Sequence, residues 1–370
     1  MNFMDFLKLM VHKNASDLFI TAGVPPSLKV DGKIQPITKQ SLTPEQARDL
    51  AFSVMNEEQR RQFEATNECN FALNPAEIGR FRVNVFVQQA RVGMVLRTIQ
   101  TYIPKFEELH LPPVMKEIAM AKRGMVIFVG GTGTGKSTSM ASLVGYRNEH
   151  SYGHIITIED PIEFVHEHRN CIVTQREIGV DTESWEVALT NAMRQAPDVI
   201  QIGEIRHRET MDNAIIFAET GHMCIATLHA NNTYQALDRI INFFAEDRRD
   251  QLLMDLSMNL RALVSQRLLP IKGGKGRVPA VEIMINSPLI ADLIFKGKIT
   301  EIRDVIARSR EAGMQSFDQS LFDLYEAGLV TYEDALKNAD SQNDLRLRIK
   351  LEGKSARADE LGDSMRNVTF

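Results

Sequence analysis

Residues 130–137 read Gly-Gly-Thr-Gly-Thr-Gly-Lys-Ser, directly after the apolar run Met125–Val129 and directly before a helix-compatible stretch reaching Tyr146. A GxxxxGK[ST] motif set between a strand and a helix restricts the chain to an α/β core that delivers a phosphate-binding loop to a helix N-terminus. The glycines let the backbone curl so that its N–H groups face a phosphate, and the helix start adds partial positive charge. Gly130, Gly131, Thr132, Gly133, Thr134, Gly135, Lys136, Ser137 and Thr138 are therefore the expected nucleotide contacts. Lys136 is expected to reach the β- and γ-phosphates, and the Ser137 hydroxyl to join the shell of a Mg²⁺ ion bound with ATP.

A chain of 370 residues exceeds the usual single-domain size, so two separate cores are expected. Residues 1–11 place Phe3, Met4, Phe6, Leu7, Met10 and Val11 near one helical face, which predicts a short amphipathic helix. Asp17–Ile20 and Ser27–Val30 read as short strands, with Asp31-Gly32 as a turn. Thr43-Pro44-Glu45 suits a helix start, continued from Gln46 to Phe63. Between Gly79 and Thr98 the residues alternate, with Phe81, Val83, Val85 and Val87 on one face and Arg80, Arg82 and Asn84 on the other, which predicts two antiparallel strands. These elements predict a small α+β domain over the first hundred residues. A connector, Tyr102 to Pro113, carries Pro104, Pro112 and Pro113 and is the expected hinge.

Beyond it, the apolar runs Met125–Val129, Ile155–Ile158, Val199–Ile202 and Cys224–Ala226 read as buried strands of a parallel sheet. Past about residue 240 the chain reads as mainly helical, and from Asn338 it turns polar and charged. Ligands of open α/β sheets bind beyond the carboxyl ends of the strands, so the polar residues following each run converge on one edge. Glu159, Asp160 and Glu163 follow the second run, and Glu163 is the candidate for orienting an attacking water. Asp198-Val199-Ile200-Gln201-Ile202-Gly203-Glu204 resembles a Walker B strand in which Gly203 stands at the usual Asp place. Glu204 is left to hold Mg²⁺, directly or through water, or to orient the nucleophile. His222 and His229 bracket the last run and are candidate sensors of the γ-phosphate.

The formal net charge of -5 and pI near 6.0 argue against a large nucleic-acid footprint, and no nucleic-acid partner is expected. Cys69, Cys171 and Cys224 are widely spaced, without a CxxC pair, which predicts free thiols and no zinc. No window approaches the apolar length of a membrane-spanning helix.

Taken together, these motifs resemble the secretion ATPase superfamily and, within it, the type IV pilus retraction ATPases of the PilT and PilU kind, over nearly the whole chain. The resemblance rests on Phe81-Arg82-Val83-Asn84-Val85-Phe86, Gly130 to Ser137, Glu159-Asp160-Pro161-Ile162-Glu163 (the Asp box), Gly203-Glu204-Ile205-Arg206 (Walker B), and Gly221-His222 through Thr227-Leu228-His229-Ala230 (the His box). It implies a PAS-like α+β domain over residues 1–101, a linker at 102–113, a RecA-like P-loop ATPase domain with a helical C-terminal part at 114–345, and a mobile tail at 346–370. It also implies a homohexameric ATPase motor at the cytoplasmic face of the inner membrane, with ATP between the two domains. The ring would act on the pilus platform protein to drive pilin back into the membrane, the basis of twitching motility. Arg80, Arg82 and Arg97 are the candidate phosphate-contacting arginines. A further N-terminal region and a four-cysteine zinc element mark the assembly ATPases; neither is expected here, which points to a retraction-side motor. Its segment Leu289–Lys298 departs from the signature of PilT proteins, which favours a PilU-type motor working with a PilT-type partner. The alternative is a nucleotide-binding adaptor ring with little hydrolysis of its own.

Overall fold

The computed structural model describes residues 3–30, 32–99 and 101–353. The chain divides into two compact units, one comprising Met1–Tyr102, Pro161–His166 and Arg176–Ser184, the other Ile103–Asp160, Glu167–Gln175 and Trp185–Phe370.

The first unit is built on an antiparallel sheet of β1 (Asp17–Thr21), β2 (Ser27–Val30), β3 (Lys33–Pro36), β4 (Glu68–Leu73), β5 (Arg80–Gln88) and β6 (Arg91–Ile99), in the order β3-β2-β1-β6-β5-β4. The β5 alternation holds: Phe81, Val83 and Val85 are buried, and they share a core with Met94 and Leu96 of β6. The opening helix Phe3–His12 buries Phe3, Phe6, Leu7 and Met10, whereas Met4 and Val11, assigned to the same face, are exposed. The single helix expected from Gln46 to Phe63 is two, Pro44–Phe52 and Glu57–Thr66. Thr43 with Gln46 and Asn56 with Gln59 each form a capping box, so Asn56 starts a new helix by satisfying its first backbone donors. Asp31 of the expected turn lies outside the described residues, but Val30 pairs with Lys33 across it.

In the second unit β7 (Gly124–Val129), β8 (Gly153–Glu159), β9 (Cys171–Glu177), β10 (Val199–Ile202), β11 (Met223–Leu228), β12 (Leu260–Pro270) and β13 (Arg277–Ile285) form a sheet in the order β13-β12-β7-β11-β10-β8-β9. Strands β8, β10, β11, β7 and β12 run parallel along that order, and β13 returns antiparallel to β12. Every residue of β7, β10 and β11 is buried, which is why these strands read as mainly apolar runs, interrupted by Gln201 in β10 and Thr227 in β11. The architecture is the expected α/β one, with one correction: β12 and β13 form a long hairpin inside a region that the sequence pattern assigned to helix. Helices Phe317–Glu326, Tyr332–Asn338 and Gln342–Glu352 close a further core over this hairpin, packing Phe317, Leu321, Leu345 and Ile349 against Leu269 and Val278. The last of them takes in the first seven residues assigned to the tail; residues 354–370 lie outside the described residues. Among the described residues no helix is long and apolar enough to cross a membrane.

Candidate nucleotide site

The loop after β7 turns into the helix Lys136–His150 through Gly135, whose φ of 86° lies in the left-handed region and which caps the helix without a side-chain hydrogen bond. The first backbone donors of this helix are thus not taken by a capping side chain, the arrangement that suits an anion. Gly130 and Gly133 also have positive φ, at 155° and 77°. The Lys136 ammonium lies back along the loop, donating to the carbonyls of Gly130 at 2.8 Å and Gly131 at 2.7 Å, while the Thr134 hydroxyl donates to the Gly131 carbonyl.

Gly203 follows β10, and Thr227 near the end of β11 holds it from the neighbouring strand: the Thr227 hydroxyl donates to the Gly203 carbonyl, and Ile205 N–H donates to the Thr227 carbonyl. A Cβ on residue 203 would sit 3.2 Å from Glu159 Cα and 3.3 Å from the Ile158 carbonyl. A side chain at the usual Walker B aspartate position would therefore be tight against the neighbouring strand. The next residue, Glu204, is gripped on both carboxylate oxygens, by Arg206 Nε at 2.7 Å and by His229 Nε2 at 3.1 Å.

His222 is placed differently. It lies just before β11, where its carbonyl accepts from Gly124 N–H at the start of β7, and its Nδ1 is 3.0 Å from the Thr220 hydroxyl. β11 and β7 are parallel, with Leu228 opposite Val129. The length of a strand, about 20 Å, separates His222 from the loop edge. Of the two histidines that the sequence set near that edge, only His229 is there.

Glu159 ends β8 as a buried carboxylate, accepting from the Thr157 hydroxyl at 2.6 Å and Gln175 Nε2 at 3.2 Å. Asp160 is exposed, and Glu163, also exposed, belongs to the segment Pro161–His166 that groups with the first unit. Within that unit the candidate arginines all face carboxylates. Arg80 lies 4.0 Å from Asp181, Arg82 lies 3.8 Å from Glu177, and Arg97 Nε donates to Asp17 at 2.9 Å. Glu177 also accepts from Ile162 N–H, and its burial pushes the carboxyl pKa up against the pull of that donor and of the two arginines. Local sequence reasoning did not find Glu177 or Thr227 as organisers, since both act through residues distant in sequence.

A strand, a glycine-rich loop and a helix N-terminus at the carboxyl edge of a parallel sheet define a P-loop nucleotide-binding protein. Residues 3–321 match the family described as type II/IV secretion system protein, and the chain belongs to that family. It is 61% identical over its full length to the type IV pilus ATPase PilU of Pseudomonas aeruginosa, covering 97% of that protein. It is 39% identical to the type IV pilus retraction ATPase PilT of the same organism, over 92% of this chain and 98% of that one. A crystal structure of the pilus retraction motor PilT with bound ADP superposes with a TM-score of 0.87, covering 94% of this chain and 99% of that chain at 39% identity. The resemblance inferred from the motifs is thus borne out along the chain.

Proposed function

We propose that this protein is an ATP-hydrolysing motor of type IV pilus retraction, serving twitching motility as a PilU-type ATPase. The observation that carries the reading is the match to PilU over the full length of this chain. ATP binds with its β- and γ-phosphates at the loop and at Lys136. The hydroxyl of Ser137 and the carboxylate of Glu204 are hard oxygen donors of the kind Mg²⁺ prefers, and these residues would hold it. When bound, the ion neutralises charge developing on the phosphoryl oxygens. Glu163 orients the attacking water, and Arg80, Arg82 and Arg97 supply further positive charge to the phosphates. Six copies form a ring at the cytoplasmic face of the inner membrane, act on the platform protein of the pilus, and work beside a PilT-type ATPase.

The test is steady-state ATP hydrolysis by the purified protein, with Glu163→Gln and Lys136→Ala alongside and the particle mass measured in the same buffer. Mg²⁺-dependent turnover by a hexamer, lost in both variants with folding intact, is the expected result. A hexamer that binds ATP without turnover would overturn the motor reading in favour of an adaptor ring.

A further inference from the structure

The phosphate loop is braced from outside its own motif. Gln266 lies in the middle of β12, buried, with both ends of its amide engaged: Nε2 donates to the Thr134 carbonyl and Oε1 accepts from the Ser139 hydroxyl, each at 2.8 Å. Thr134 belongs to the loop and Ser139 to the first turns of the helix that follows it, so one side chain ties the curl of the loop to the helix it feeds. The same residue closes the space on either side. A Cβ on Gly130 would meet the Gln266 carbonyl at 2.9 Å, and one on Gly135 would meet Gln266 Nε2 at 2.7 Å. Two glycines of the loop are therefore required partly because β12 stands against them. Both partners of the Gln266 amide lie within the same compact unit.

We infer that Gln266 is a positioning residue for the nucleotide: by holding the Thr134 carbonyl and Ser139 together, it keeps the loop's N–H groups aimed at the phosphates. Its amide is the side chain suited to the task, since it offers one donor to a carbonyl and one acceptor to a hydroxyl on a planar group fixed by the strand. Preorganisation of this kind is read in ligand affinity, because a loop that must be ordered on binding spends part of the binding energy on that ordering. The inference rests on the reading of Gly130–Ser137 as a nucleotide site.

The test uses the full-length protein and a fluorescent ADP derivative, N-methylanthraniloyl-ADP with Mg²⁺. Gln266→Leu keeps the volume and removes both hydrogen bonds; it should weaken binding about tenfold, equivalent to about 1.4 kcal/mol. Gln266→Glu keeps the acceptor for Ser139 but sets an anionic oxygen against the Thr134 carbonyl, and should bind more weakly than Gln266→Leu. Ser139→Ala removes one of the two bonds and should cost no more than about threefold. In ATP hydrolysis KM should rise in the same order while kcat changes less, a split that general loss of stability would not produce. Melting temperatures without nucleotide establish that each variant is folded. Binding by Gln266→Glu and Gln266→Leu within twofold of the wild type would overturn the inference. Failure of the wild type itself to bind the probe would remove the nucleotide site on which it stands.

Discussion

Glu204 and His229, which follow the ends of two adjacent parallel strands, meet at 3.1 Å between Oε1 and Nε2, and Arg206 Nε takes the other carboxylate oxygen at 2.7 Å. The Walker B and His elements are thus one unit, in which the carboxylate is oriented from both sides. Removing the imidazole leaves the carboxylate held by Arg206 alone while the phosphate loop is untouched. His229→Ala should therefore lower kcat by about 10- to 100-fold, the usual effect of losing a group that orients a functional carboxylate. ADP affinity should stay within threefold of the wild type. Single-turnover hydrolysis and ADP titration, run together, separate the two quantities, and an equal loss in both would contradict the orienting role.

Gly203 offers a prediction opposite in sense to the motif. Restoring an aspartate by Gly203→Asp should not improve the site, because the added Cβ would stand 3.2 Å from the backbone of Glu159 and 3.4 Å from the Trp185 ring. Overpacking against backbone costs about 1–3 kcal/mol. Gly203→Ala, which adds only the Cβ, isolates the steric part. Urea unfolding should show both variants less stable than the wild type.

Much of the fold was legible because β7, β10 and β11 are buried on both faces and so appear as short, mainly apolar runs with at most one polar residue each. Strands β12 and β13 were not, because Ser265, Gln266 and Glu282 break their apolar pattern while being fully buried. Each is satisfied by a partner far along the chain: the Ser265 hydroxyl donates to the Asn231 carbonyl, and Glu282 accepts from the N–H and hydroxyl of Thr233. A local window sees only the polarity and not the partner. The site divides along the same line. The loop, Glu204 and His229 follow strand ends and could be read there. Gln266 supports the loop from 132 residues away and carries no local signal.

His166 should make the first unit sensitive to acid. Burial drives its imidazole pKa from the ordinary 6.5 down to about 4, so the neutral ring is the form that the folded protein holds. Between those values the unfolded chain binds more protons than the folded one, and stability falls as pH drops. The loss begins near pH 6.5, reaches about 2 kcal/mol by pH 5, and approaches about 3 kcal/mol below pH 4. His166→Phe cannot take up the proton. Its urea midpoint should change less between pH 7 and pH 5 than that of the wild type, whatever its stability at pH 7. Parallel slopes for the two proteins would assign the acid sensitivity elsewhere.

The three thiols should be silent toward reagents until the protein opens. Cys69, Cys171 and Cys224 are all buried and unpaired by disulfides. Burial raises the pKa of each, that of Cys224 to about 12, so the thiolate that would react is scarce as well as enclosed. Cys224 sits in β11 between its neighbours β7 and β10, paired with Met125 on one side and Ile200 on the other, and can be reached only by parting the central sheet. Its reaction with a thiol reagent at pH 8 should therefore report global opening of the ATPase unit. Cys69, in β4 of the other unit, reports opening there independently. Mass spectrometry after a timed exposure, with and without ADP, should show that nucleotide slows labelling of Cys224 more than that of Cys69. Equal slowing at both would mean that nucleotide stabilises the two units as one cooperative body.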